Sequence, residues 1–159
     1  MPTYYLDTSA LVKCYVPERG TRWILALVAS ESNSMSSPSQ LVTSLLALAE
    51  GGAALARRQR TGELTEIQRA EVFDRFVADC RDRYKLLSVD ESMIHHAALL
   101  TQRHPLRGYD AVHLATALRI RHILTTANLP APIFVSADIN LCAAAQGEGL
   151  AVENPNDYP

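Results

Sequence analysis

Short apolar runs alternate with longer amphipathic stretches from the first residues of the chain onward. The run Tyr4–Leu6 is typical of a strand, and comparable runs recur at 40–43, 85–89, 133–136 and 150–152. Between them, apolar residues follow helical spacing in stretches that begin near Ala10, Thr21, Ser44, Thr65, Asp90, Asp110 and Leu141. Strands that alternate with helices predict a three-layer α/β fold with a central, mainly parallel sheet. We expect a single domain spanning residues 1–159, because the chain is too short for two comfortable ones.

The pattern is less regular in four places. The Ser-rich stretch 31–39 predicts a polar loop, and Ile123–Leu124 is read as a short additional strand. The pair Gly51–Gly52 lowers helix propensity within the helix predicted over 44–60, where it would let a neighbouring backbone come close. The Asn/Pro-rich tail after Val152 is expected to be frayed.

Composition limits the classes of function. The formal net charge of -2 argues against a protein that coats nucleic acid through overall positive charge. The three cysteines lack metal-site spacing, which predicts neither a zinc site nor a disulfide framework and favours a reducing compartment. No apolar run reaches membrane-spanning length and no signal peptide precedes the first strand, so we expect a cytoplasmic protein.

Four acidic residues lie where site residues collect in α/β folds. Asp7 and Asp138 follow two strands, Asp110 begins a helix, and Glu50 lies two turns into another. Because sites form at the carboxyl edge of an open sheet, these acids can converge on one pocket. Taken singly, the three aspartates could be helix caps. Glu50 fits a solvated helix position less well, since it interrupts a run of apolar and small residues.

A carboxylate cluster without a matching Lys or Arg implies a hard divalent cation. Oxygen ligands select Mg²⁺ or Mn²⁺ over zinc. Such ions activate water and neutralise the charge that develops on a phosphodiester during attack. The absence of a convincing Ser/His/Asp or Cys/His set agrees with chemistry that needs no protein nucleophile.

The same residues carry a resemblance to a known family, which covers nearly the whole chain in the family's order. The chain resembles PIN-domain ribonucleases, specifically the VapC-type toxins of bacterial and archaeal toxin–antitoxin pairs. The likeness lies in the segments 5–18, 43–58, 109–117 and 134–155, which include Tyr5-Leu6-Asp7-Thr8-Ser9, Tyr109-Asp110-Ala111-Val112-His113 and Phe134-Val135-Ser136-Ala137-Asp138. Two features depart from the family pattern: Gly51–Gly52 replaces a bulkier pair, and Asn140 stands where some relatives have a further acid.

The resemblance implies a PIN-like fold and an endoribonuclease that acts as a toxin. Asp7, Glu50, Asp110 and Asp138 would bind Mg²⁺ or Mn²⁺, and Ser9 and Ser136 would be supporting hydroxyls. It further implies an RNA substrate, a cognate antitoxin protein and a homodimer. Because no apolar run is long enough to span a membrane, we expect no membrane partner.

Several basic residues are weaker candidates. Arg57 and Arg58, together with Arg60, end the helix that carries Glu50, where they either complement the helix dipole or guide an RNA backbone. Lys13, one turn beyond Ser9, is a further candidate for a phosphate contact. His113 shares a helix face with Asp110, but a histidine within an apolar run is more often packed and hydrogen-bonded to backbone, so it is left out of the predicted site.

Two other functions are consistent with parts of the sequence. One is a PIN-like module that processes or binds RNA without acting as a toxin. The other is a phosphatase that forms an aspartyl-phosphate on Asp7, although such a site needs a second Asp where the chain has Ser9.

Overall fold

Five strands pair in parallel to form the central sheet of the computed structural model, which describes residues 2–33 and 39–159 and, of these, the side chains of 2–30 and 39–159. They are β1 (Thr3–Leu6), β2 (Gln40–Ser44), β3 (Lys85–Leu87), β4 (Ile133–Val135) and β5 (Ala151–Glu153). Their order is β3-β2-β1-β4-β5, with Tyr5 opposite both Val42 and Phe134. The predicted parallel sheet is confirmed.

Helices connect the strands. They are α1 (Thr8–Val12), α2 (Thr21–Asn33), α3 (Leu46–Arg60), α4 (Glu66–Asp82), α5 (Glu91–Arg103), α6 (Gly108–Thr126) and α7 (Ile139–Gly147). Within the described ranges, none is both long and apolar enough to cross a membrane.

The two faces of the sheet carry separate hydrophobic cores. Tyr5 and Phe134 face a core completed by α5, α6 and α7. Their strand neighbours Leu6 and Val135 face the opposite core, which α1, α2, α3 and α4 complete. Because successive strand residues point to opposite faces, one apolar run supplies both cores. The predicted three-layer arrangement is confirmed.

The strand order reverses at β1. The chain passes from β1 to β2 on one side, and it later returns to place β4 on the other side. Ligands of parallel α/β sheets bind in the crevice that opens at the carboxyl ends of the strands at such a reversal. The topology therefore directs the ends of β1 and β4, and the residues that follow them, toward one site.

Polar caps begin four of the helices as their residue types predict. Asp7, Asp90 and Asp138 each accept a hydrogen bond from the backbone N–H three residues later, which begins α1, α5 and α7. Thr65 and Gln68 form the predicted capping box of α4. The capping interpretation is thus correct for Asp7 and Asp138. It is wrong for Asp110, which lies in the first turn of α6, because the cap position of that helix is Arg107.

Three local predictions are wrong. Ile123–Leu124 is not a strand, since α6 continues without interruption to Thr126. The tail is not frayed, because Pro155 is buried in a short 3₁₀ turn (Pro155–Asp157) and the Tyr158 ring stacks on Trp23 with ring centroids 4.8 Å apart. The predicted loop over 31–39 is helical as far as Asn33, and residues 34–38 lie outside the described part of the chain.

The glycine pair in α3 makes room for aromatic rings of α4 rather than for a backbone. A Cβ atom built on Gly51 would lie 2.4 Å from Cζ of the buried Phe76, whereas one on Gly52 would lie 3.3 Å from Cε2 of the half-buried Phe73. The Phe76 ring is also held by an edge-to-face contact with Tyr15. The absence of a side chain at Gly51 therefore sets the distance between α3 and α4.

This difference predicts opposite outcomes for two neighbouring substitutions. Gly51→Ala and Gly52→Ala both gain about 1 kcal/mol of helix propensity. Only Gly51→Ala must displace a ring held in the core, so we expect it to be less stable than Gly52→Ala by about 1–3 kcal/mol. Urea denaturation of both variants measures the difference, and equal midpoints would contradict the packing argument.

Candidate active site

All four predicted acids line one pocket at the carboxyl edge of the sheet. The pocket has a volume of about 360 Å³. Its wall includes Asp7, Thr8, Ser9, Glu18, Glu50, Arg57, Arg58, Arg107, Tyr109, Asp110, His113 and Asp138. Residues from α1, α3, α6 and the ends of β1 and β4 thus meet at the position that the topology indicates.

Asp7 is the most enclosed of the acids, with 3% of its surface exposed. The Ser9 hydroxyl donates to both carboxylate oxygens at 2.7 and 2.9 Å, and the Ser136 hydroxyl donates to Oδ2 at 2.7 Å. The Ala10 N–H donates to Oδ1 at 2.9 Å. Burial raises the pKa of Asp7 above its ordinary range, and the charge of His113 and these hydrogen bonds oppose that rise only in part.

The two serines also hold the end of β4. Ser9 Oγ accepts the Ala137 N–H at 2.9 Å, and Ser136 Oγ accepts the Asp138 N–H at 3.1 Å. Each hydroxyl therefore donates to Asp7 and accepts from the loop that carries Asp138. This arrangement is consistent with the supporting role predicted for Ser9 and Ser136.

Glu50 is held by donors from two other elements. Its Oε2 atom accepts from the Thr8 hydroxyl at 2.7 Å and lies 2.5 Å from Nε2 of His113. Burial alone would raise the pKa of Glu50, but the hydrogen bond and charge of His113, with smaller effects from Thr8 and Arg107, lower it below its ordinary value. The carboxylate is therefore ionised at neutral pH.

Asp110 and Asp138 share a cationic neighbour, Arg107. The Arg107 guanidinium donates from Nε to Asp110 Oδ2 at 3.3 Å and lies 3.9 Å from Asp138 Oδ2. Burial raises the pKa of Asp110, Arg107 opposes that rise, and the negative charges of Asp138 and Glu50 add to it. Because the Arg107 side chain is 85% exposed, these contacts hold the acids weakly.

The donor set suits a hard divalent cation. Four carboxylates face one pocket, and the buried Asp7 is bonded by hydroxyl and backbone N–H groups rather than by Lys or Arg. The acids line the pocket without closing on a common point: among the described residues, no three His, Cys, Asp or Glu side chains form a ready metal-binding group. Each carboxylate is instead held by protein donors.

The predicted basic contacts differ in their surroundings. Arg57 is exposed and lines the pocket. Arg58 also lines it but forms ion pairs with Glu18 at 2.7 Å and Glu63 at 2.8 Å.

Lys13 does not fit the predicted phosphate contact. It is 4% exposed, and its ammonium group donates to Glu18 at 3.0 Å and to the Arg19 carbonyl at 2.8 Å. Lys13 thus ties the end of α1 to the following loop, a role consistent with its burial.

Three residues of the site escaped prediction from the sequence. His113 bonds to a predicted acid rather than to backbone, Thr8 donates to the same acid, and Arg107 contacts two others. The spacing of His113 three residues after Asp110 was the one available signal, because it places both on the same side of a helix. The sequence around Arg107, which precedes the first residue of α6, gives no signal that Arg107 belongs to the site.

Comparison with known proteins gives both a family and similar relatives. The PIN domain profile matches residues 4–145. Two curated relatives from Mycobacterium tuberculosis, Ribonuclease VapC45 (strain CDC 1551 / Oshkosh) and Ribonuclease VapC49 (strain ATCC 25618 / H37Rv), are each 36% identical over 120 residues. The aligned region covers 76% of this chain and 78% of each relative.

Solved structures share the fold at low sequence identity. VapC20 of Mycobacterium tuberculosis, described as a sarcin-ricin loop cleaving toxin, has a TM-score of 0.61 at 16% identity, covering 98% of this chain and 99% of that one. PAE2754 of Pyrobaculum aerophilum has a TM-score of 0.61 at 17% identity, covering 98% and 85%. VapBC2 of Rickettsia felis, bound to a promoter DNA fragment, has a TM-score of 0.58 at 15% identity, covering 96% and 98%.

The resemblance inferred from the sequence is therefore confirmed, since the profile spans most of the chain and includes Asp7, Glu50, Asp110 and Asp138. The chain belongs to the PIN domain family.

Proposed function

We propose that this protein is a metal-dependent endoribonuclease of the VapC type. The observation that carries the proposal is the convergence of Asp7, Glu50, Asp110 and Asp138 on one pocket in a chain that belongs to the PIN domain family. PIN-domain ribonucleases generally depend on divalent metals. In this chain the four carboxylates would hold Mg²⁺ or Mn²⁺.

The chemistry supplied by a divalent cation in such a site is activation of water and neutralisation of charge on the phosphodiester. The chain's own residues prepare the site for it. Asp7 is fixed by Ser9 and Ser136, so its position costs no further ordering when a ligand arrives. Arg57, exposed on the pocket wall, would contact an RNA phosphate.

We further propose that the protein is a toxin controlled by an antitoxin. Solved structures with this fold include a toxin–antitoxin complex from Klebsiella pneumoniae and VapBC-1 from nontypeable Haemophilus influenzae. In addition, the exposed apolar side chains of Leu45, Ile94 and Tyr109 line grooves beside the acidic pocket, where a bound protein could block access. A small open reading frame immediately upstream would support this role; the predicted homodimer stays a prediction.

The two alternatives have less support. A module that binds RNA without cleaving it would not need four acids around one pocket. An aspartyl-phosphate mechanism needs a second Asp two residues after Asp7, where the chain has Ser9, whose hydroxyl donates to the Asp7 carboxylate.

Replacing a carboxylate of the pocket should remove cleavage without removing the fold. Asp138→Asn keeps the cap of α7, because Asn caps helices as well as Asp does. It removes one negative charge from the cation site, so we expect cleavage of a structured RNA in Mn²⁺ to fall by about 100-fold or more. The measurement is the cleavage rate at equal protein concentration, with circular dichroism to verify the fold.

Asp90→Asn is the matched control for that variant. Asp90 caps α5 through the Met93 N–H at 2.8 Å, much as Asp138 caps α7 through the Leu141 N–H at 2.9 Å, but Asp90 lies outside the pocket. We expect Asp90→Asn to cleave at the wild-type rate, and EDTA to stop both it and the wild type. Full activity of Asp138→Asn, or activity that survives EDTA, would refute the proposed mechanism.

The exposed arginine of the pocket wall should contribute to RNA affinity. In an Asp138→Asn background, in which cleavage is slow, Arg57→Ala should weaken binding to a single-stranded RNA and reduce the slope of log affinity against log salt by about 0.7, the value for one phosphate contact on a single strand. Arg60→Ala is the control, since Arg60 ends the same helix but lies outside the pocket wall. If both variants reduce the slope equally, Arg57 has no special contact with RNA.

A further inference from the structure

We propose that His113 is a positioning residue that fixes the Glu50 carboxylate for binding of the divalent cation. The inference rests on the proposed function, because it concerns how one predicted ligand is oriented. His113 would not itself bind the cation or the RNA. It would act through a hydrogen bond from Nε2 to Glu50, which selects the carboxylate oxygen that remains free.

The geometry links three elements through one imidazole. His113 lies on α6 with 2% of its surface exposed, and its Nε2 atom is 2.5 Å from Oε2 of Glu50 on α3. On the other side of the ring, Nδ1 lies 2.8 Å from the hydroxyl of Tyr5 on β1. The imidazole therefore spans the distance between the central strand and the helix that carries Glu50.

The proton positions in this network follow from the partners. An ionised Glu50 carboxylate can only accept hydrogen bonds, so the Nε2 atom of His113 must be the donor. Nδ1 forms the second hydrogen bond of the ring, with the Tyr5 hydroxyl. The bond to Tyr5 thus orients the ring so that Nε2 faces the carboxylate.

The anchor of this network is rigid. Tyr5 is fully buried, and its ring stacks on Phe134 of β4 with centroids 5.4 Å apart and planes 10° apart. The Tyr5 ring also meets the His113 ring edge to face at 6.0 Å. The orientation of the imidazole is therefore set by the packed core and not by the exposed rim of the pocket.

Glu50 needs such a support more than the other acids do. Its side chain is 22% exposed and extends from a helix, so the sheet does not fix it directly. Both hydrogen bonds, from His113 and from Thr8, fall on Oε2, and the described contacts leave Oε1 without a donor. The arrangement presents Oε1 as the free ligand atom of a carboxylate whose rotation is blocked.

Two amide substitutions at one position test this role. Glutamine places its side-chain NH₂ group near the position of Nε2 and can still donate to Glu50, whereas asparagine reaches only the position of Nδ1. We expect His113→Asn to bind Mn²⁺ about 10–100-fold more weakly than wild type, the usual cost of losing a residue that orients a metal ligand. We expect His113→Gln to recover most of that affinity, as measured by calorimetric titration with Mn²⁺ alone.

A double-mutant cycle shows whether the effect passes through Glu50. If His113 acts on this carboxylate, the His113→Asn/Glu50→Gln double variant should bind Mn²⁺ as weakly as Glu50→Gln alone. Leu114→Ala is the control for general disturbance of α6, because Leu114 is fully buried and packs in the core without a polar contact. It should lower the unfolding midpoint and leave the Mn²⁺ affinity unchanged.

The outcomes separate the inference from the proposed function. Wild-type affinity in His113→Asn, equal losses in the Asn and Gln variants, or multiplied losses in the double variant would each overturn the positioning role while leaving the proposed function intact. A wild-type protein that binds no Mn²⁺ and cleaves no RNA would overturn both. Rescue by Gln with no further loss in the double variant is the result that the structure predicts.

Discussion

The site depends first on the burial of one carboxylate at the edge of a parallel sheet. Asp7 follows β1, caps α1 and accepts hydroxyl donors from α1 and from the loop after β4. Removing a carboxylate from water is costly, and here the carboxylate accepts hydrogen bonds from two hydroxyl groups and one backbone N–H. Burial raises the pKa of Asp7, and the charge of His113 and these hydrogen bonds oppose that rise only in part. A cation in the pocket would supply the remainder.

The other acids are arranged by different means, and this affects how firmly each is held. Asp138 shares the rigidity of the sheet edge, because the serine that bonds to Asp7 also accepts its backbone N–H. Asp110 contacts Arg107, whose exposed side chain can move away at little cost in free energy. Glu50 is held through the buried His113. The pocket thus combines three carboxylates held by buried or partly buried donors with one, Asp110, that contacts an exposed arginine.

The parallel sheet and the helix caps were predictable because the patterns that indicate them are local in the sequence. Alternation of strands and helices indicated the parallel sheet, and residue types at the ends of elements indicated the caps of α1, α4, α5 and α7. Ile123–Leu124 was misread because β-branched and apolar residues favour a strand locally, whereas packing of the long α6 decided its structure. The tail was misread because the Trp23 ring on which Tyr158 stacks is distant in sequence.

The acids of the candidate site were predictable from the sequence, whereas most residues that contact these acids were not. Glu50 was predicted as a site residue because an acid within an apolar run is costly to bury unless it has a partner. Lys13 was judged instead by its place one turn beyond Ser9, which does not reveal that its ammonium group is buried and pairs with Glu18 of the following loop. The cost of burial also gave no partner for Glu50, since His113 lies 63 residues away on another helix.

The missing partner of Glu50 has a physical origin in the fold. The charge of Glu50 is compensated through a contact between two helices, and such contacts are fixed by the fold and not by neighbouring residues. The carboxylates of Asp7 and Asp138 could be assigned to one site because strand ends converge wherever the sheet order reverses. Glu50 depends on contacts of α3 with other elements, because Gly51 lets α3 pack closely on Phe76 and His113 holds the carboxylate in place. Its position in the pocket is therefore set by packing between helices and not by the end of a strand.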